Sequence, residues 1–194
     1  MAGRPREFDR DEVLEKIQQV FWERGYESTS MSDLVAATGL ASARLYAAYG
    51  SKETLFREAI DRYEQQEGGF ADRALAEEPT VRHAFERMLR EAVDVYTQRG
   101  ARGCMVVSSA TNCSPANDVV RQWLAEHRRR RTDSLVERVR AAVAAGELPA
   151  GTDAQALGDA YAAVLHGISV QARDGIPRTR LLALIEPAMA LLGP

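Results

Sequence analysis

Ser42, Ala43, Arg44, Tyr46 and Ala47 fall in one short stretch, Ser42 to Tyr49, that stops at Gly50. Arg44 is its only charged group, and on an exposed helix a guanidinium can fork to O6 and N7 of a guanine or hold a phosphate. Ser42 can reach a base or a phosphate, and Ala43 and Ala47 can meet a thymine methyl. Tyr46 can pack its ring on the fold while its hydroxyl reaches a phosphate. Lys52 stands in the first turn of the following helix, where a cation gains nothing from the helix dipole and is better spent on a phosphate. Thr29, Ser30 and Ser32 bring hydroxyls to the start of the preceding helix, whose free N–H groups attract anions; Ser30 equally suits a cap. Arg4, Arg6 and Arg10 precede the first helix as a basic arm, fit for a minor groove or for loose attraction to phosphates.

The remaining reactive groups point to less. Cys104 and Cys113, the only cysteines, are nine residues apart. On one helix that is two and a half turns and about 13 Å of rise, so they would face opposite ways, too far apart for a disulfide or a shared metal. Cys104 beside Arg102 suits a buried core thiol or, with a lowered pKa, a redox or electrophile sensor. His83, His127 and His166 lack the H-E-x-x-H spacing and no C-x-x-C pair occurs, so neither metal nor cofactor is expected. Arg128 to Arg131 sweep round a helix with Glu126, Asp133 and Glu137 in pairing range. That reads as solvated surface, the other reading being contact with an anionic effector or nucleic acid. No nucleophile elbow, P-loop or dinucleotide fingerprint is present, so no enzyme is expected.

The elements that must position these groups are helical. Apolar residues recur at helical spacing from Asp9 to Gly25, from Ser30 to Thr38, over Ser42 to Tyr49 and from Ser51 to Gly68. Ser30 with Asp33 three residues on has the form of a capping box, and Gly39 makes the turn into the next helix. Leu34, Leu40 and Leu45 hold the two short helices together, with Ala36 and Ala37 allowing close approach. Two short helices about a glycine turn, flanked by longer ones, present the second outward to a major groove. Longer helices follow over Thr80 to Arg99, residues 104–112, Asp118 to Ala145, Asp153 to Arg173 and Pro177 to Leu192, the last kinked at Pro187. The softest boundary lies from Gly68 to Pro79. The expected fold is all-α with about nine helices: a helix-turn-helix unit over residues 1–50, a connecting helix over 51–68, and a larger domain over 69–194.

With 45% hydrophobic and 27% charged residues, the 194-residue chain can close a core without staples. Its 25 basic and 28 acidic groups give a net charge of −3, so any binding to nucleic acid must come from local clustering. No apolar run is long enough to span a membrane and the first residues are charged, so a cytoplasmic protein without membrane contact is expected.

At Thr29-Ser30-Met31, Thr38-Gly39-Leu40, Leu45-Tyr46, Tyr49-Gly50-Ser51-Lys52-Glu53 and Leu55-Phe56 the chain resembles the TetR/AcrR family of bacterial transcriptional regulators. The resemblance covers Asp9 to about Ile60 closely, and Arg102-Gly103-Cys104-Met105 is similar to a phrase found in some subgroups. Ala41, Ala47 and Ala48 depart from the family pattern, leaving fewer polar contacts. The resemblance implies a homodimer reading a pseudo-palindromic double-stranded operator through its N-terminal units, most simply as a repressor. It also implies a C-terminal domain that binds a small-molecule effector and dimerises. Phe85, Met88, Leu89, Tyr96, Met105, Trp123, Leu124, Tyr161, Leu165 and His166 are the expected pocket walls. Asp153 to Leu192, with Ile168 and Ile185, is the expected dimer interface. A non-DNA-binding helical interaction protein is the remaining alternative.

Overall fold

Asp9 starts the first helix by accepting the N–H groups of Asp11 and Glu12, and α1 runs Arg10–Arg24 with Val13, Ile17, Phe21 and Trp22 buried on one stripe. In this computed structural model, which describes residues 8–98, 100–110 and 113–193, no strand occurs among the described residues. Ser30 and Asp33 form the expected capping box and start α2 (Met31–Thr38). Gly39 then takes φ +71°, a left-handed turn that a side chain would strain, and α3 (Ser42–Tyr49) follows. Leu34 and Leu45 are fully buried between the helices, whereas Ala36 and Ala37 face outward and do not set the approach. Ser51 caps α4 (Lys52–Gln65) through the Thr54 N–H.

Most of residues 68–79, expected as a soft boundary, is helical. A 3₁₀ turn over Glu67–Gly69 leads into α5 (Phe70–Glu77), which buries Phe70, Ala71 and Ala74. The diglycine turns the chain without releasing it, because Gly68 lies so close to the Tyr63 ring that a Cβ there would fall 2.5 Å from it. Then come α6 (Val81–Thr97), α7 (Met105–Ala110), α8 (Asp118–Ala144) and α9 (Ala154–Arg173). The last expected helix is broken rather than kinked, into α10 (Arg178–Leu182), α11 (Ile185–Met189) and a 3₁₀ turn at Ala190–Leu192. Pro187 has no N–H for the Ala183 carbonyl, and the Leu184 N–H bonds the Leu181 carbonyl at 3.1 Å, a tighter turn. Among the described residues the chain thus forms eleven α-helices, against about nine expected, the difference being α5 and the break in the last helix.

Two apolar cores result. One gathers α5, α6, α9, α10, α11 and the second half of α8 around Phe85, Tyr96 and Tyr161. The other holds α1 to α4 on an aromatic centre, with Phe21 and Phe56 edge to face at 5.1 Å and Trp22 and Tyr63 at 4.8 Å. This second core also takes in Met105, Val106, Val120 and Leu124 from α7 and the start of α8. Within the first, α8 and α9 approach so closely at Gly158 that a Cβ there would lie 2.5 Å from Val136 Cγ2 and 2.8 Å from its Cα.

Ile168 and Ile185, expected at a subunit interface, are 1% and 2% exposed within the protomer. Leu181, Met189 and Leu192 are interior too. Most of the apolar C-terminal run packs against α6 and α9 of its own chain, with Leu191 left 48% exposed, so its composition alone does not call for a partner.

Candidate nucleic-acid interface and ligand cavity

On α3, Leu45 and Tyr49 turn inward and leave Ala43, Tyr46 and Ala47 exposed, with Ser42 and Arg44 half-buried beside them. Tyr46 is 44% exposed, a large ring held at the surface. Ala41 gives α3 no side-chain cap, so first-turn N–H groups of this helix lack a side-chain acceptor. The Arg44 guanidinium lies over the Phe8 ring, 5.0 Å from its centroid. Tyr49 Oη donates to the Arg10 carbonyl at 3.2 Å, fixing the rear of α3 to α1.

The candidates outside α3 divide. Ser32 is exposed at the start of α2, and Ser30 is exposed but engaged: its Oγ donates to Asp33 Oδ2 at 2.6 Å. Thr29 does not join them, since it is 1% exposed and its hydroxyl donates to the Gly25 carbonyl at 2.7 Å, closing the loop between α1 and α2. The ammonium of Lys52 sits 4.4 Å over the Tyr26 ring. Burial lowers its pKa against the opposing pull of Glu27. Arg10 is no free arm: it lies in the first turn of α1, paired to both oxygens of Glu58 at 2.8 and 2.9 Å. Arg4 and Arg6 lie outside the described residues.

Several bonds carry this unit onto the rest of the chain. Trp22 Nε1 donates to the Gly103 carbonyl at 2.9 Å in a buried setting. Glu27 accepts the Ser114 N–H at 2.8 Å and the Asn117 side chain at 2.6 Å, which holds its pKa below the usual carboxylate range. The Cys104 N–H donates to Ser169 Oγ at 2.7 Å, tying the same segment to α9.

A cavity of about 40 Å³ opens where the end of α4, α5, α6, α7, α8 and α9 meet. Of the expected walls, Tyr96, Leu165 and His166 line it. Phe85, Met88, Leu89 and Tyr161 are packed core instead: the tilted Phe85 and Tyr161 rings lie 4.3 Å apart, and Tyr161 Oη donates to the Ala188 carbonyl at 2.9 Å. Met105 is fully buried and Trp123 and Leu124 belong to the other core, Trp123 standing against His127 at 4.2 Å.

Tyr63, Glu64 and His127 are not among the expected walls, and for Arg128 to Arg131 contact with an anionic effector is only the second reading. Tyr63, Glu64, His127, Arg128 and Arg131 all line the cavity, so two of the four arginines taken for solvated surface point inward. Residues three apart on a helix share a face, and Arg128 and Arg131 do so by necessity. Arg131 is paired with both oxygens of Asp72, and His127 Nδ1 lies 2.9 Å from both oxygens of Glu64. Burial lowers the His166 pKa, and the nearby Arg128 charge adds to this, so its ring is neutral near pH 7. Burial pushes the Tyr63 and Tyr96 phenols well above 10, with the adjacent Cys104 in the same direction. Cys104 is half-buried on the cavity wall and Cys113 lies beyond α7, so they share no helix; both thiols are free. Asp61, Glu64 and His127 bring three ligand atoms within 4.8 Å of one another, a grouping invisible to local spacing because it joins α4 to α8.

Two family models match the chain: bacterial regulatory proteins of the tetR family over residues 13–59, and the tetracyclin repressor-like C-terminal domain over residues 86–174. The HTH-type transcriptional repressor ComR of Escherichia coli (strain K12) is 31% identical over 191 residues, 97% of this chain and 91% of the relative. The HTH-type transcriptional repressor BdcR of the same strain is 27% identical over 177 residues, 90% and 84% of the two chains. Among solved structures, a cysteine mutant of the TetR family transcriptional regulator CifR, complexed with 26-base-pair double-strand operator DNA, superposes with a TM-score of 0.91. It is 43% identical, over 96% of this chain and 98% of that one.

Proposed function

The chain belongs to the tetR family of bacterial regulatory proteins, and from that premise we propose how it works as a dimeric transcriptional repressor. It binds double-stranded operator DNA through α3 and is released by a small-molecule effector. The observation that carries this reading is the exposed Ala43, Tyr46 and Ala47 face of α3, on a fold that superposes on an operator-bound relative along nearly its whole length. Arg44 and Ser42 flank that face as base or phosphate contacts. Two such helices in a two-fold dimer would sit about one helical turn, roughly 34–36 Å, apart.

The dimer contact is assigned to the outer face of α9. Ala163 and Val170 are exposed there, Val170 by 45%, and nothing lies within 4 Å of where a Cβ on Gly167 would be. The effector site is assigned to the cavity, because its wall includes Tyr63 and Glu64 at the end of α4 while Lys52 begins that helix beside the reading unit. A ligand larger than the cavity must displace α4 and with it the spacing of the two α3 helices. Release requires that the ligand prefer the mis-spaced state; a 100-fold preference supplies about 2.7 kcal/mol per site, and operator DNA must weaken the ligand by the same factor.

Titration of labelled upstream DNA by fluorescence anisotropy tests this. Binding should be specific and fall steeply with salt. Lys52→Ala should flatten the salt slope by about one unit across all sequences. Arg44→Ala should relax preference at one position per half-site, costing about 1–3 kcal/mol if the contact is bidentate. Salt-insensitive binding, or none to any upstream segment, would overturn the reading.

A further inference from the structure

Of the basic side chains on the cavity wall other than His166, two are already answered by a carboxylate. Arg131 has Asp72, and His127 has Glu64. Arg128 has neither an ion pair nor a side-chain hydrogen bond among the described residues, and its Nη1 is buried without a partner. A guanidinium stays protonated, so this is a fixed positive charge partly withdrawn from water, a costly arrangement unless an anion completes it. A second polar group on the same wall is Tyr63, 1% exposed, whose hydroxyl makes no hydrogen bond of good geometry and has only the Cys104 side chain and the Met105 backbone close to it. Phe70, Val106, Val107 and Leu165 give the wall its apolar part, beside Tyr96, Cys104 and His166.

Resting on the effector site assigned above, we infer that the cavity takes a small organic carboxylate, its charge met by Arg128, an oxygen by the Tyr63 hydroxyl, and its hydrocarbon part by the Phe70, Val106 and Leu165 wall. A single unpaired guanidinium balances one negative charge, which favours a monoanion over a phosphate dianion. At about 40 Å³ the cavity has room for only a few water-sized molecules, well below the roughly 150 Å³ that admits benzene in an engineered protein cavity. A carboxylate of more than a few carbons must therefore push the wall outward, which is the displacement of α4 that release calls for.

Isothermal calorimetry on the full-length protein without DNA tests the chemistry directly. The probes are butyrate, hexanoate and benzoate, each against its own primary amide, with inorganic phosphate as the dianion. At least one carboxylate should bind tenfold or more tightly than its amide. Arg128→Gln, checked for folding by circular dichroism, should bring that ratio to about one. Tyr63→Phe, which keeps the ring, should weaken the carboxylate severalfold. Equal binding of acid and amide, an undiminished ratio in Arg128→Gln, phosphate binding tighter than every carboxylate, or no carboxylate bound at 10 mM would overturn the inference and leave Arg128 to water. Anisotropy with operator DNA is read separately. A carboxylate that binds through Arg128 without releasing DNA defeats the release mechanism and not the ligand class.

Discussion

The chain holds two tryptophans, and the same substitution at each should give unequal results. Trp22 is 5% exposed, and its indole N–H is the only donor to the Gly103 carbonyl among the described residues. Trp22→Phe keeps a ring facing Tyr63 but orphans that carbonyl, at about 1–3 kcal/mol. The lost part of the indole adds about 1 kcal/mol of burial. The expected total is about 2–4 kcal/mol, a fall in melting temperature of roughly 4–16 °C for a chain of this size. Trp123 is half-buried, and no hydrogen bond from its indole occurs among the described residues. Trp123→Phe should therefore cost about 1 kcal/mol or less. Urea denaturation followed by far-ultraviolet circular dichroism, at one fixed protomer concentration because subunit association adds to apparent stability, separates the two. Equal losses, or a Trp22→Phe protein within about 0.5 kcal/mol of the parent, would refute the role given to the Trp22 to Gly103 bond.

Gly158→Ala should destabilise by about 1–3 kcal/mol of overpacking less about 1 kcal/mol of helix propensity. Adding Val136→Ala should fail to restore stability, since a Cβ there also meets the Val136 backbone; chemical denaturation of the single and double variants decides it. Ala163→Arg or Val170→Asp should yield a folded monomer by analytical ultracentrifugation, whereas Ile168→Asp, in the protomer core, should abolish the folded baseline at any concentration. Stability should be intact below pH 10 and decline above it. The unfolded chain ionises its phenols near 10, while burial pushes Tyr161 up to about 12 and raises Tyr63 and Tyr96 as well. Denaturation midpoints from pH 9 to 12 should fall less steeply in Tyr161→Phe.

The reading unit was legible because its signals are local. Ser30 and Asp33, Gly39, Gly50 and Ser51 each do at the backbone what their chemistry favours, and four helices start within a residue of where they are expected, the fourth ending three residues early at Gln65. The cavity was less legible. Periodicity identified Phe85, Met88 and Leu89 as inward-facing, but well-packed side chains fill space, and a cavity forms where neighbours fail to. Its walls are set by Arg128, Arg131 and Tyr63, whose meeting depends on how α4 crosses α8, which no local spacing encodes. The helix Phe70–Glu77 was hidden behind a diglycine that resembles a terminus. Thr29 shows the converse, a polar side chain beside a surface helix that spends its hydroxyl indoors.

The aromatic core beneath α1 to α4 draws Met105, Val106, Val120 and Leu124 from far along the chain. Hybrid regulators made by grafting residues 1–68 onto another effector domain would cut through that core, leaving four apolar side chains without their covering on one parent and a hollow on the other. If α3 reads the operator as proposed, its preference is better transplanted one surface at a time, because Ala43, Tyr46 and Ala47 are exposed and Arg44 is only half-buried. On the function proposed above, new operators would be reached through a handful of outward substitutions, while the response to an effector would pass only with the whole chain.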